Sequence, residues 1–292
     1  MADTAPELED RLAAERALQA SKGHPNALQS GKWSIIPKED HSAFLTRLTQ
    51  ECHDSTRLQI AGFNTGSSNL PPSDPKVPKR AVVALDCEMF MVQGQDSCLA
   101  QVCAVDVLTG QPILDILVDP PPSRQVLNYK TEYSGLSQRS FDHYRKHGMV
   151  FNGAEGARQE LFKYVDRSTI FVGHALHNDL CALGITHGRI FDTQMLTKNA
   201  VLAQTKGVWF RRQWSLRDVA RELIGRHIQT RDRTGHDCLE DCYAPREILI
   251  WYLQTKTKER LDAWAVEKIR NNEHLDRSPG SPGPWSEAWT SC

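Results

Sequence analysis

Between residues 81 and 255 the hydrophobic pattern switches repeatedly between short continuous apolar runs and helical spacing, which marks an α/β domain. The runs AVVALDCEM (81–89), CLAQVCAVDV (98–107), PILDILV (112–118), STIFVGH (168–174) and GRIFDT (188–193) read as five strands, with the second and third joined as a hairpin across LTGQ. Helical spacing covers SQRSFDHYRKHG, GAEGARQELFKYV, NDLCALG, SLRDVARELIG and DCLEDCYAPREILIWYLQ. The fourth of these has a Ser N-cap and a terminal Gly, and the last carries Pro245. Residues 118–137, with three consecutive prolines, are predicted to be irregular.

The flanks differ. ELEDRLAAERALQA reads as a surface helix on a mobile arm, and PKEDHSAFLTRLTQEC places Ala43, Phe44, Leu48 and Cys52 at helical spacing for docking. NTGSSNLPPSDPKVPKR (64–80) has linker composition, and SPGSPGPWSEAWTSC ends the chain as a disordered tail. The expected organisation is an arm and linker over 1–79, a catalytic domain over 80–257, and a C-terminal helix and tail over 258–292.

Composition narrows the picture. At 292 residues and 40% hydrophobic, the chain can bury one sizeable core. With 35 Lys and Arg against 36 Asp and Glu, affinity for nucleic acid must come from where charges sit rather than from their sum. The eight cysteines form no regular framework and read as reduced thiols of a soluble intracellular protein. The N-terminus lacks a signal or transit pattern, and no apolar run reaches the roughly 18 residues of a membrane span. A zinc site from Cys238, Cys242, His227 and His236 is disfavoured because no C-x2-C knuckle is present.

The chemistry starts at the end of the first strand. Asp86 and Glu88 are two apart, so both carboxylates leave one face. Unpaired charges at such a position are costly, and a cation is the expected remedy. Further on, FVGHALHNDL ends with Asp179 beside a helix start, and GHDCLEDC places His236 five residues before Asp241. Four acids and a histidine are what a two-metal phosphodiester hydrolase needs: carboxylate oxygens for two hard cations, and a base that titrates near neutrality. His174 and His177 are better suited to structural hydrogen bonds, and Asp192 to a structural role. Glu240 suits capping or support of its neighbour.

In that order and spacing, LDCEM, GHALHNDL and H-x4-D closely resemble the DEDDh 3′-5′ exonucleases, specifically the RNA exonuclease 4-like branch. NYKTEYSGLS, IFDT and GHDCLEDC extend the resemblance. It implies an RNase H-like fold with a mixed five-stranded sheet flanked by helices, here with extra N-terminal helices. It also implies Mg²⁺ or Mn²⁺ as two ions on Asp86, Glu88, Asp179 and Asp241, with His236 as general base. The implied reaction releases nucleoside 5′-monophosphates from the 3′ end of single-stranded RNA, in rRNA processing or turnover. The nucleus, and the nucleolus within it, is the implied compartment ahead of the cytoplasm. A 3′-5′ DNA exonuclease would share the motifs, and a catalytically dead binding scaffold is disfavoured because all five residues are present.

Two places depart from the branch pattern: Phe90 follows Met89 where Val is usual, and LAQTKGVWFRRQW is longer and more basic. Met89 is a candidate contact for the terminal nucleotide. Trp209, Arg211 and Arg212 are candidates for stacking and phosphate contact, whereas Trp214 and the later arginines fit a core position and a solvated helix face.

Overall fold

A computed structural model describes residues 33–94, 97–205, 212–230, 235–254 and 257–271. The expected N-terminal surface helix, the C-terminal tail, Trp209 and Arg211 lie outside these residues.

The five expected strands are contiguous in a seven-stranded mixed sheet and reach one of its edges. They are β1 (Val82–Val92), β2 (Ser97–Asp106), β3 (Pro112–Asp119), β6 (Ile170–Gly173) and β7 (Ile190–Asp192). Two short strands extend the expected set, β4 (Val126–Asn128) and β5 (Val150–Asn152). The order is β5-β3-β2-β1-β6-β7, with β4 pairing the far end of β1. β1, β2 and β3 are antiparallel neighbours, while β6 runs parallel to β1, β7 to β6 and β5 to β3.

Strand parity divides the core. Val82 and Ala84 face one layer with Cys103, Val105, Ile170 and Val172, whereas Val83, Leu85 and Cys87 face the other with Val102, Ala104 and Phe171. Covering the first face are α7 (Thr193–Gln204), α8 (Leu216–Ile224), α9 (Cys238–Tyr252) and α10 (Thr257–Arg270). On the second face lie α5 (Gly153–Leu161) and α6 (His177–Ala182). Asp86 and Glu88 continue the parity of Val82 and Ala84, so they emerge beneath α9. That helix is buried along most of its length, and Pro245 lies inside it.

Residues 118–137 are more ordered than their prolines suggest. They contain β4 and a single turn, α3 (Thr131–Ser134), ahead of α4 (Gln138–Lys146), which starts at a Ser137–Ser140 capping box.

Residues 33–79 form a collar. Helices α1 (His41–Glu51) and α2 (Ser55–Ile60) bury Leu48 and Leu58 completely. Trp33 stacks on Tyr243, with ring centroids 5.1 Å apart. Ser34 donates to both carboxylate oxygens of Glu247, whose Oε1 is also paired with the buried Arg246. Along the edge of the sheet, the His53 N–H donates to Ile190 O and its ring bonds Asp192 O. The stretch 64–80 has no helix or strand, yet it is bound to the domain: Leu70 is buried, and Asn69 bonds Gly184 O and Thr186 N through its side chain.

Candidate active site

Three elements converge beneath α9. The end of β1 brings Asp86 and Glu88, and the pairing with β2 shifts register between Glu88 and Met89. Such a bulge re-aims side chains at a sheet end. The second element is the turn from β6 into α6. A Cβ on Gly173 would lie 2.7 Å from Leu176 Cδ1 and 3.1 Å from the Leu85 carbonyl, so glycine lets this turn close tightly onto β1. Closure carries Asp179 to β1, where its Oδ1 accepts the Cys87 N–H at 3.0 Å. Asp179 is thereby fixed to the backbone of the residue between Asp86 and Glu88.

The third element is the start of α9. Asp237 caps the helix by accepting from Leu239 N and Glu240 N, which places Asp241 in the first turn, where backbone N–H groups favour an anion. His236 approaches Asp241 through Nδ1 at 3.5 Å, and ligand atoms of Glu88, His236 and Asp241 all lie within 4.8 Å of one another. Gln229 Nε2 donates to Asp241 Oδ2 at 2.9 Å. The other oxygen, Oδ1, is buried without a hydrogen-bond partner.

The electrostatics are those of crowded acids. Burial pushes Asp86 well above the usual carboxylate range, and repulsion from Asp179, Asp241 and Glu88 adds to the shift. Asp179 is raised well above its ordinary value, chiefly by burial. Glu88 is pushed up to about 7, again mainly by burial and then by Asp241. His236 is raised by its bond to Asp241. Buried carboxylates held this close favour protonation unless a cation compensates them. With the partnerless Asp241 oxygen, they fit a hard divalent ion.

Other residues fall where their chemistry suggests. His174 bonds Thr193 Oγ1 and Trp214 O, and His177 sits edge-on to Phe63. Asp192 caps α7 and accepts the Leu176 N–H. The thiols of Cys238 and Cys242 donate to the backbone carbonyls of Asp86 and Cys103, an arrangement unlike a zinc site. Among the described residues Cys52, Cys87, Cys103, Cys238 and Cys242 are thiols outside any disulfide. Met89 is half-buried beside Glu88 and packs on the second core layer. Arg212 is exposed, and Trp214 is buried against Trp264. Arg217, expected to be only a solvated position, is exposed and close enough to His236 to oppose its protonation.

Sequence reasoning did not assign two supports. One is Gln229, a single polar residue in a stretch without regular structure, which gave no signal. The other is the contact between Gly235 and the α3 turn: a Cβ on Gly235, where φ is +75°, would meet Gly135 N at 2.1 Å. Immediately afterwards, the His236 N–H donates to Tyr133 O. NYKTEYSG thus supplies the seat of the histidine.

An α/β/α sandwich on a mixed sheet, with carboxylates gathered at the end of its central strand, is an RNase H-like fold. The chain belongs to the exonuclease family: the RNase T exonuclease model matches residues 83–249. Among its relatives, RNA exonuclease 3 of Candida albicans is 31% identical over 179 residues, covering 61% of this chain and 39% of that protein. Small RNA degrading nuclease 3 of Arabidopsis thaliana is 26% identical over 169 residues, covering 58% of this chain and 20% of its own length. The matches thus span less than half of these relatives. The fold is also that of the Saccharomyces cerevisiae Pan2 pseudoubiquitin hydrolase-RNA exonuclease module solved with AAGGAA RNA. There the TM-score is 0.53 at 22% identity, covering 71% of this chain and 35% of that one. Families of this kind use divalent metal ions, and no helix among the described residues is long and apolar enough to cross a membrane.

Proposed function

We propose that this chain is a DEDDh-type 3′-5′ exoribonuclease of the RNA exonuclease 4-like branch, releasing nucleoside 5′-monophosphates from single-stranded RNA. The observation that carries this reading is the meeting of Glu88, Asp241 and His236 within 4.8 Å, over a strand end that also bears Asp86 and is pinned to Asp179. Relatives named as RNA exonucleases and the RNA-bound Pan2 structures support RNA as the substrate class. On the branch resemblance, its setting is rRNA processing or turnover in the nucleus, chiefly the nucleolus.

In this reading Asp86, Glu88, Asp179 and Asp241 would hold two Mg²⁺ or Mn²⁺ ions, which would neutralise the phosphate and make hydroxide accessible at neutral pH. His236 takes the proton of the attacking water: Asp241 orients its Nδ1 side, and it keeps a side-chain exposure of 39%, so solvent can reach it. Met89 borders the acids where a terminal nucleotide would lie. Trp209, Arg211 and Arg212, together with Arg217, would steer the strand.

Matched 3′-labelled and 5′-labelled RNA and DNA oligonucleotides, incubated with Mg²⁺ or Mn²⁺ and with chelator, test the proposal. Stepwise loss from the 3′ end of RNA, mononucleotide products and silence in chelator are expected. Faster loss of DNA would assign the same chemistry to a DNA exonuclease, whereas cutting of a circular RNA or full activity in chelator would refute the reading.

A further inference from the structure

We infer that Gln229 is a positioning residue that decides which oxygen of Asp241 is offered to a cation; the inference rests on the metal-binding reading above. Gln229 lies between α8 and α9, just after Ile228, which is 1% exposed and anchors the segment in the core. Its φ is 53°, in the left-handed region that a residue with a Cβ disfavours. Such a conformation persists where its surroundings over-determine it. Here two successive acids do so. The Gln229 N–H donates to Glu240 Oε2 at 2.8 Å, and its side-chain amide donates to Asp241 Oδ2 at 2.9 Å.

This clamp makes the two oxygens of Asp241 unequal. Oδ2 accepts from the amide and faces His236 Nδ1 at 3.5 Å, while Oδ1 is buried and has no partner. An amide suits this place because it orients the carboxylate without neutralising it. A lysine or arginine would orient it too, but would compete with a bound cation. Hydrogen-bond partners of metal-binding carboxylates commonly contribute about 10–100-fold to metal affinity.

The test uses the full chain and Mn²⁺ as probe, with calorimetric titration and metal-free melting temperature as readouts. Gln229→Gly removes the amide and relieves the left-handed backbone, so it should weaken Mn²⁺ binding about 10-fold or more with no loss of metal-free melting temperature. Gln229→Lys keeps a donor and adds a charge, so it should raise the metal-free melting temperature while weakening Mn²⁺ binding further. Unchanged Mn²⁺ affinity in Gln229→Gly overturns the inference, as does a fall that only tracks loss of folding in both variants. If the wild-type protein binds no Mn²⁺, the metal reading itself fails; if it binds and Gln229→Gly binds equally well, only the role of Gln229 fails.

Discussion

Gly235→Ala tests how tightly the histidine is seated. The added methyl would stand 2.1 Å from Gly135 N, 2.6 Å from Gly135 Cα and 2.9 Å from Ser134 C, all backbone atoms, at a φ of +75°. Since ordinary contact begins at 3.4 Å, the two loops must part by about 1 Å, a displacement that can cost about 10²-fold in turnover. His236 is the next residue, and its N–H bond to Tyr133 O spans the same seam. The left-handed backbone costs about 1–2 kcal/mol once a Cβ is present, and the clash adds about 1–3 kcal/mol. Gly225→Ala is the control: φ is +65°, but nothing lies within 4 Å of the new methyl, so it carries the backbone cost alone. Single-turnover degradation of 3′-labelled RNA and thermal melting on both variants read the difference. Gly235→Ala should lose about 10²-fold in rate, and Gly225→Ala should keep its rate within about twofold, a difference of only about 0.4 kcal/mol in barrier. Equal rates in the two variants would refute the seating argument.

Other consequences follow from the charges. Asp86, Glu88 and Asp179 are raised on folding, so the folded metal-free protein retains protons that the unfolded chain releases. For Glu88 that stability is full below about 4.5 and is lost as the pH rises through about 7, a decline that saturating Mn²⁺ should remove. A metal-free melting temperature that climbs over this range would contradict it. His236→Ala should keep Mn²⁺ binding while turnover falls by about 10²–10⁴-fold, and should lack the acid limb that wild type shows below a His236 pKa raised by Asp241. Asp86→Asn should instead lose the metal, as calorimetry would show. Replacing Arg217 by Ala should reduce the salt slope of RNA binding by about one contact, and replacing Arg211 and Arg212 should reduce it by about two. Unchanged slopes in filter-binding assays would rule these residues out.

The central strand and its acids were legible because β1 obeys strict parity: Val82, Ala84, Asp86 and Glu88 share one face, and charge at the end of an apolar face needs a reason. Asp179 and His236 were legible as motif members, but their placement was not. The Cys87 N–H that fixes Asp179 and the Gly135 backbone that seats Gly235 are main-chain contacts between segments far apart in sequence, and side-chain patterning carries no record of them. Gln229 was hidden for the same reason, since only the fold brings it to Asp241. Residues 64–80 misled because proline and serine content reports the absence of regular structure, not the absence of packing. Leu70 and Asn69 supply that packing within a stretch of otherwise linker-like composition.

The collar makes the unit that folds larger than the unit that inheritance defines. A fragment cut to residues 83–249 would keep every proposed catalytic side chain, yet it would strip the Ile190 carbonyl of its His53 partner and leave Glu247 without Ser34. It would also uncover Tyr243 by removing Trp33, and the cavities once filled by Leu48, Leu58 and Leu70 would open to water. An unpaired strand edge next to bare apolar surface invites self-association. The segment 83–249 is therefore no portable cassette: grafted without residues 33–79, it should be recovered as aggregate, however complete its set of acids.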